Sequence, residues 1–148
     1  MSIEVRLATA RDRQLMKEFY SREGLDFQSL ASRLTQSPGG MAKETMFIIA
    51  VTSDTVVAAL RLDIGLDVSV GKVGLVQHFE IEDYLESSDL GTRMIQKAVE
   101  LSEEKGLRYL DALVPESRKD VIKLYHDSDF GENHKEVLLR KDFRPRIF

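Results

Sequence analysis

The chain has 148 residues, of which 43% are hydrophobic, and it contains no cysteine. This length suits one domain, taken here as residues 1–148, and the lack of cysteine excludes disulfides, thiolate metal sites and thiol nucleophiles. The 25 acidic residues outnumber the 21 Lys and Arg, and the net charge of −4 argues against a general nucleic-acid binder.

The chain begins with one strand pattern and two helix patterns. Apolar and polar residues alternate over 3–7, which predicts a strand. Thr9 then begins a helix, with Asp12 three residues later to complete a capping box, and Gly24 ends this helix. A second, shorter helix is predicted over 26–35, before a loop rich in Pro and Gly.

A β-hairpin follows the loop. Two apolar, β-branched runs, 46–51 and 55–62, are joined at Ser53-Asp54, as is typical of two paired strands. A polar connection is predicted over 65–71, and it leads into a fourth strand.

The segment from Leu75 to Lys105 combines that fourth strand with a turn and a long amphipathic helix, which Gly106 ends. A helix that starts in a tight turn directs its free N–H groups and the positive end of its dipole at one point, which favours an anion site. Ser88 or Asp89 could equally be an ordinary N-cap. Two sets of residues alternate in the strand: Leu75, Phe79 and Ile81 against Val76, His78 and Glu80.

The remainder predicts a fifth strand over 109–114, a helix over 117–128 and a last strand over 136–140. The middle of the sheet is then antiparallel, and one right-handed crossover joins two parallel strands. The fold class is a mixed α/β sheet of six or seven strands, flanked by about four helices.

In element order and spacing, residues 3–143 resemble the GNAT superfamily of acetyl-CoA-dependent N-acetyltransferases. Members carry Arg or Gln, two variable residues, Gly, one variable residue and Gly or Ala after the fourth strand. The N–H groups of that loop hold the cofactor pyrophosphate. Only Gly91, with the flanking Leu90 and Thr92, keeps the family's residue types here, so the loop is degenerate. The matching positions are Glu86, Ser87, Ser88, Asp89, Leu90 and Gly91.

A second family motif lies on the last helix. Members often show Leu-Tyr, three residues, then Gly-Phe, and here Leu124-Tyr125 leads to Asp129-Phe130. Asp replaces the Gly, which costs little because Asp tolerates a left-handed turn position.

The resemblance implies direct transfer of an acetyl group from acetyl-CoA to an amine of a small molecule or peptide. Tyr125 stands where many members have the acid that protonates the leaving thiolate, although it also lies on the apolar side of its helix. His78 and Glu80 are candidate general bases, or else a solvated pair on the outer face of the strand. Phe79 and Ile81 would bind the pantetheine arm where the fourth and fifth strands part.

Three basic residues near the start of the last helix, Arg118, Lys119 and Lys123, are candidate phosphate contacts or a plain solvated face. Arg118 stands where many members have an Asn that contacts the cofactor.

The carboxylates of Glu86 and Asp89 should repel phosphate, so we expect weak acetyl-CoA binding. Replacing both, as Glu86→Gln with Asp89→Gly, should tighten binding by about tenfold or more. One alternative is a catalytically degenerate protein of this fold that acts as an interaction or regulatory module. Another is an unrelated α/β domain that shares the element order.

No apolar run is long enough to span a bilayer, and the start of the chain lacks the pattern of a signal peptide. We therefore expect a soluble, cytoplasmic protein that binds neither membrane nor nucleic acid. We also expect no metal, and we leave homodimerisation open.

Overall fold

A computed structural model describes residues 2–32, 44–86, 88–133, 137 and 139–143. Its strands are β1 (Glu4–Leu7), β2 (Glu44–Thr52), β3 (Thr55–Asp67), β4 (Gly71–Ile81) and β5 (Leu110–Ala112). Its helices are α1 (Arg13–Arg22), α2 (Phe27–Ser32), α3 (Leu90–Glu104) and α4 (Lys119–Asp127). Short 3₁₀ turns cover Ala10–Asp12 and Asp83–Leu85.

The strands form one sheet in the order β1-β2-β3-β4-β5. The first four pair antiparallel, and β5 runs parallel to β4 after the α3 crossover. The mixed α/β fold is therefore confirmed. The described residues form five strands, fewer than the six or seven predicted. The strand predicted over 136–140 falls partly outside the described residues, and its described members, Val137, Leu139 and Arg140, lie in no strand.

Two connections differ in how well their sequence predicts them. Ser53 and Asp54 both have left-handed φ angles, 50° and 58°, as a type I′ hairpin turn requires, so the β2–β3 hairpin is confirmed. The connection predicted over 65–71 is present but shorter, at 68–70, because β3 continues to Asp67 and β4 begins at Gly71. The longer ladder gives partners to backbone groups that a loop would leave to water, and this outweighs the weak strand propensity of Gly65.

The capping box before α1 is confirmed. The backbone N–H of Thr9 donates to Asp12 at 2.7 Å, and Arg6 donates to both oxygens of that carboxylate at 2.7 and 2.9 Å. The hydrogen bonds from Arg6 hold the pKa of Asp12 well below its usual range. Gly24, with φ at 79°, then follows α1 as predicted.

Helices cover both faces of the sheet. On one face α3 and α4 bury a core that includes Val76, Phe79, Ile81, Met94 and Tyr125. On the other face α1 and α2 bury a second core, with four aromatic rings in contact: Phe19, Tyr20, Phe27 and Phe47.

A β-bulge at His78 divides β4. Gln77 lies opposite Arg61 and Glu80 lies opposite Ala59, so His78 and Phe79 together face Leu60. His78 has a left-handed φ of 56°. The extra residue reverses the alternation of side chains between the two faces of the sheet. As a result Val76, before the bulge, lies on the α3 face together with Phe79 and Ile81, after it.

The alternation predicted for this strand is therefore wrong on two points. Leu75 lies opposite Asp63 and on the α1 face, away from Phe79 and Ile81. Val76, predicted to share a face with His78 and Glu80, belongs to the α3 core.

A buried polar cluster lies under α1 and α2. Asp63 accepts hydrogen bonds from Thr45 at 2.7 Å, Arg61 at 2.9 Å and Gln77 at 3.1 Å. Arg61 also donates to the backbone carbonyl of Leu30, which ties β3 to α2. We call this set the Asp63 cluster. Each oxygen of the central carboxylate has a donor, as a buried charge requires.

Within the described ranges, no helix is long and apolar enough to cross a membrane.

Candidate functional site

Strands β4 and β5 part soon after they begin to pair. Their parallel register covers Gly74 to Val76 on β4, and its last hydrogen bond runs from the Leu113 N–H to the Val76 carbonyl, at 2.9 Å. Beyond that point β4 continues to Ile81 without β5. The parting was predicted near Phe79 to Ile81, and it lies closer to the start of the strand, just before the bulge at His78. We call the resulting space the β4–β5 gap.

Aromatic and aliphatic side chains form the wall of this gap on the α3 face. Phe79 and Ile81 are both buried there. The ring of Phe79 meets Tyr125 edge-on at 6.2 Å, and Tyr125 meets Phe130 edge-on at 5.0 Å. Asp129, between these motif residues, has a φ of 68°, so the substitution for Gly does occupy a left-handed turn.

Tyr125 combines a buried ring with a position beside a cavity. It lines a pocket of about 660 Å³ together with Leu110 and Ala112 of β5. Burial raises the pKa of Tyr125, so the hydroxyl keeps its proton throughout the neutral range. The side chain is thus part of the core and is also able to donate a proton.

Glu80 points towards the α1 face and is engaged with a cation. The Arg118 Nη1 lies 3.0 Å from the Glu80 Oε2, across the point where β4 and β5 part. Arg118 also contacts Asp120, at 3.3 Å. Burial opposes the charge on Arg118, but the hydrogen bonds with Asp120 and Glu80 outweigh it and raise the pKa of Arg118. We call this set the Arg118 cluster.

The pairing of Arg118 with Glu80 was not predicted, because the two residues come from the start of α4 and the end of β4. The available signals were the basic group at the start of the last helix and an Arg at a position where the family has Asn.

His78, the other candidate base, is half-buried at the bulge, and its carbonyl accepts a hydrogen bond from the Tyr20 hydroxyl at 2.9 Å. The prediction that His78 and Glu80 share a face assumed regular alternation, which the bulge interrupts.

A smaller pocket, of about 230 Å³, lies between the end of β4 and the start of α4. Lys123 and Asp127, which both line it, pair along α4 at 2.8 Å. Three carboxylates and two cations line the pocket, so its charge does not favour an anion. The lining residues are Ile81, Glu86, Arg118, Asp120, Val121, Lys123, Leu124 and Asp127.

The degenerate loop approaches this pocket through Glu86. Ser87 lies outside the described residues. The Ser88 hydroxyl accepts from the Leu90 N–H at 3.2 Å and donates to the Leu85 carbonyl at 2.6 Å. Asp89 stands at the N-cap of α3, yet its side chain makes no capping hydrogen bond. Of the two residues predicted as N-cap, Ser88 therefore binds the first free N–H of the helix with its side chain, and Asp89 does not.

Gly91 allows α3 to pack closely on its neighbours. A Cβ at this position would lie 2.7 Å from a methyl group of Leu124 and 3.2 Å from one of Ile81. A side chain at this position would therefore have to displace the end of Leu124. Leu90 beside it is buried in the α3 core, whereas Thr92 is half-buried.

The β4–β5 gap and the smaller pocket fit the two parts of an acyl-CoA unequally. The gap offers the unpaired edge of β4 beside Phe79 and Ile81, which suits an amide-containing pantetheine arm. The pocket offers Arg118 and Lys123 to phosphate, but each is already paired with carboxylates. Among the described residues, no group of three His, Cys, Asp or Glu could hold a metal ion.

Known structures share this architecture. A ribosomal-protein-alanine N-acetyltransferase from Brucella melitensis biovar Abortus 2308 superimposes with a TM-score of 0.74 at 16% identity, over 95% of this chain and 100% of that one. An aminoglycoside acetyltransferase from an uncultured soil metagenomic sample gives a TM-score of 0.73 at 12% identity, over 96% and 97% of the two chains.

A predicted acetyltransferase from Clostridium acetobutylicum, solved with acetyl-CoA, gives a TM-score of 0.67 at 14% identity, over 94% and 96%. No family model matches the sequence, and no curated protein matches it either. The chain has the GNAT acyltransferase fold.

Proposed function

We propose that this protein is an N-acetyltransferase that moves an acetyl group from acetyl-CoA directly to an amine of a small molecule or peptide. The observation that carries the proposal is the β4–β5 gap, with the ring of Tyr125 in contact with Phe79 on its wall. The solved acetyltransferases of the same fold support the reaction class.

The proposed reaction joins the acceptor nitrogen to the acetyl carbon and breaks the carbon–sulfur bond. Acetyl-CoA supplies the acetyl group as a thioester. Phe79 and Ile81 hold the arm of the co-substrate along β4, so that the thioester lies near Tyr125. The Tyr125 hydroxyl donates its proton to the departing sulfur, a step for which a protonated, buried phenol is suited.

The amine loses its own proton on the α1 face of the gap. Glu80 is the base that this proposal favours, because it lies on the part of β4 beyond the parting of the strands and faces that side. His78 at the bulge is the second candidate. Water can replace either group, so loss of Glu80 should lower the rate without abolishing it.

Replacement of Tyr125 by Phe tests the acid. Because the change removes a proton donor that acts in the transition state, kcat should fall by about 100-fold while KM stays nearly constant. Transfer is measured by release of free thiol from acetyl-CoA in the presence of polyamine, aminoglycoside and peptide acceptors. The matched control is Tyr84→Phe, since Tyr84 is exposed. An unchanged kcat in Tyr125→Phe would leave Tyr125 with a packing role only.

A second candidate function is a protein of this fold that does not catalyse transfer and acts as an interaction or regulatory module. The observation that favours it is the excess of carboxylates, Glu86, Asp120 and Asp127, in the pocket beside Arg118. Calorimetric titration with acetyl-CoA separates the two candidates. Binding together with thiol release supports the enzyme, and the absence of both supports the module.

A further inference from the structure

The Arg118 cluster is placed so that a ligand can exchange with it. Arg118 lines the smaller pocket and reaches Glu80 on the far side of the strand end. About 29% of its side chain is exposed, as is 21% of the Glu80 side chain. Both partners therefore retain access to solvent, and neither contact is locked inside the core.

Arg118 has more donors than its present partners need. Its Nη1 donates to Glu80, while its Nε and Nη2 approach Asp120 at 3.3 and 3.4 Å, near the limit of a hydrogen bond. A guanidinium fork matches a phosphate group as well as it matches a carboxylate. An anion that binds the guanidinium at shorter distances should readily displace these two long contacts.

Resting on the proposed function, we infer that Arg118 is the phosphate-binding residue of the acyl-CoA site, and that Glu80 and Asp120 occupy it until the co-substrate arrives. The phosphate contact thus comes from the start of α4 and not from the degenerate loop before α3. Binding transfers Arg118 from Glu80 to the ligand, and the Glu80 carboxylate becomes available to the acceptor amine.

The charges around Glu80 favour the release of Arg118 only if the acceptor amine then binds beside Glu80. Burial raises the pKa of Glu23, and Glu82, Glu80 and Asp83 nearby raise it further, whereas Arg22 opposes them and pairs with Glu82 at 3.2 Å. Without Arg118, these four carboxylates outnumber the nearby Arg22, and the end of β4 presents a negative surface. A protonated amine would compensate it, so the acyl donor should bind before the acceptor.

Calorimetric titrations of the full chain test the inference with three probes: CoA, pantetheine, which lacks phosphates, and inorganic pyrophosphate. Glu80→Gln and Asp120→Asn should each tighten CoA binding about two- to fivefold, the fold-change equivalent to one partly exposed ion pair. Arg118→Gln should weaken CoA binding. When Arg118→Gln is present, neither Glu80→Gln nor Asp120→Asn should tighten CoA binding. Glu104→Gln is the matched control, because Glu104 is exposed at the far end of α3.

The same variants separate an exchange from simple repacking. Pyrophosphate should follow CoA in every variant, and pantetheine should bind equally to all of them. In steady-state assays, Glu80→Gln should lower kcat although it lowers the Kd for CoA, a combination that a purely structural residue would not produce.

Three results would overturn the inference: an unchanged Kd for CoA in Glu80→Gln and Asp120→Asn, equal gains for pantetheine, or absence of CoA and pyrophosphate binding in every variant. Failure of the proposed function is a different result. In that case the variants change the affinities for CoA and pyrophosphate as described above, but no acceptor causes release of free thiol from acetyl-CoA.

Discussion

Two Arg–carboxylate pairs in this protein have nearly the same geometry and different surroundings. In the Asp63 cluster the nitrogen–oxygen distance is 2.9 Å, and the Arg61 and Asp63 side chains are 4% and 1% exposed. In the Arg118 cluster the distance is 3.0 Å, and the Arg118 and Glu80 side chains are 29% and 21% exposed. The distances alone would rank the pairs as equals.

The Asp63 cluster and the Arg118 cluster differ in their remaining contacts. Thr45, Gln77 and the Leu30 carbonyl complete the Asp63 cluster from inside the fold. The Arg118 cluster ends at a pocket. A closed cluster holds elements together, whereas a pair that borders a pocket can give up one member to a ligand. Three changes test this distinction, in order of decreasing effect.

Asp63→Ala should destabilise the protein most. The change leaves Arg61 buried beside an empty position, and breaking a buried pair in this way typically costs about 3–5 kcal/mol. Urea unfolding gives the free-energy difference. Glu80→Ala is the matched control, with an expected loss of under about 1 kcal/mol, since its pair is partly exposed. Equal losses would show that the two clusters have the same role.

Asp12→Asn should have an intermediate effect, because Arg6 is 33% exposed and Asp12 only 7%. We expect a loss of about 1–2 kcal/mol at neutral pH, from the capping box and the charged hydrogen bonds. The pKa of Asp12 is lowered in the fold, so its contribution is present above the unfolded pKa near 4 and is lost as the pH falls towards the folded pKa.

Unfolding measured between about pH 7 and pH 3 tests this sign. The stability difference between Asp12→Asn and the unmodified chain should narrow from neutral pH to pH 3 without closing, because the folded pKa of Asp12 lies below this range. Two parallel curves would mean that the Asp12 charge does not contribute.

The double change Glu86→Gln with Asp89→Gly should have the smallest effect on stability and a modest one on affinity. Glu86 lines the smaller pocket, and the Asp89 carboxylate does not cap α3. Because the Asp89 carboxylate does not bind the capping N–H, its removal should add little. The gain in CoA affinity should come mainly from Glu86, at about two- to fivefold, which is below the roughly tenfold expected from the sequence.

Titration of Glu86→Gln alone beside the double variant separates the two residues. A gain of about tenfold that needs both changes would return the phosphate site to the loop and argue against the role of Arg118.

Local patterns predicted the fold well where neighbouring residues decide the structure. The I′ turn at Ser53-Asp54, the capping box of Thr9 with Asp12, and the left-handed Asp129 each depend on a few adjacent residues. Turn and cap chemistry acts over such distances, so the sequence carries it directly.

The candidate site was harder to predict, because its contacts join distant segments. Arg118 and Glu80 are 38 positions apart, and Tyr20 and His78 are 58 apart. The bulge at His78 gave no local signal either, since an alternating pattern with one extra residue still resembles a strand. The signals that pointed to this strand were the family resemblance and the anion site predicted at the start of the helix that follows it.

The bulge at His78 has a consequence for how the protein can change over evolution. Before it, β4 is fixed by pairing with both β3 and β5. After it, β4 pairs with β3 alone and borders the β4–β5 gap. Substitutions beyond the bulge can therefore alter the lining of the gap while the ladder to β5 stays intact. Deletion of the one bulge residue would instead move every following side chain of β4 to the opposite face of the sheet. This part of the strand therefore tolerates substitutions better than deletions or insertions.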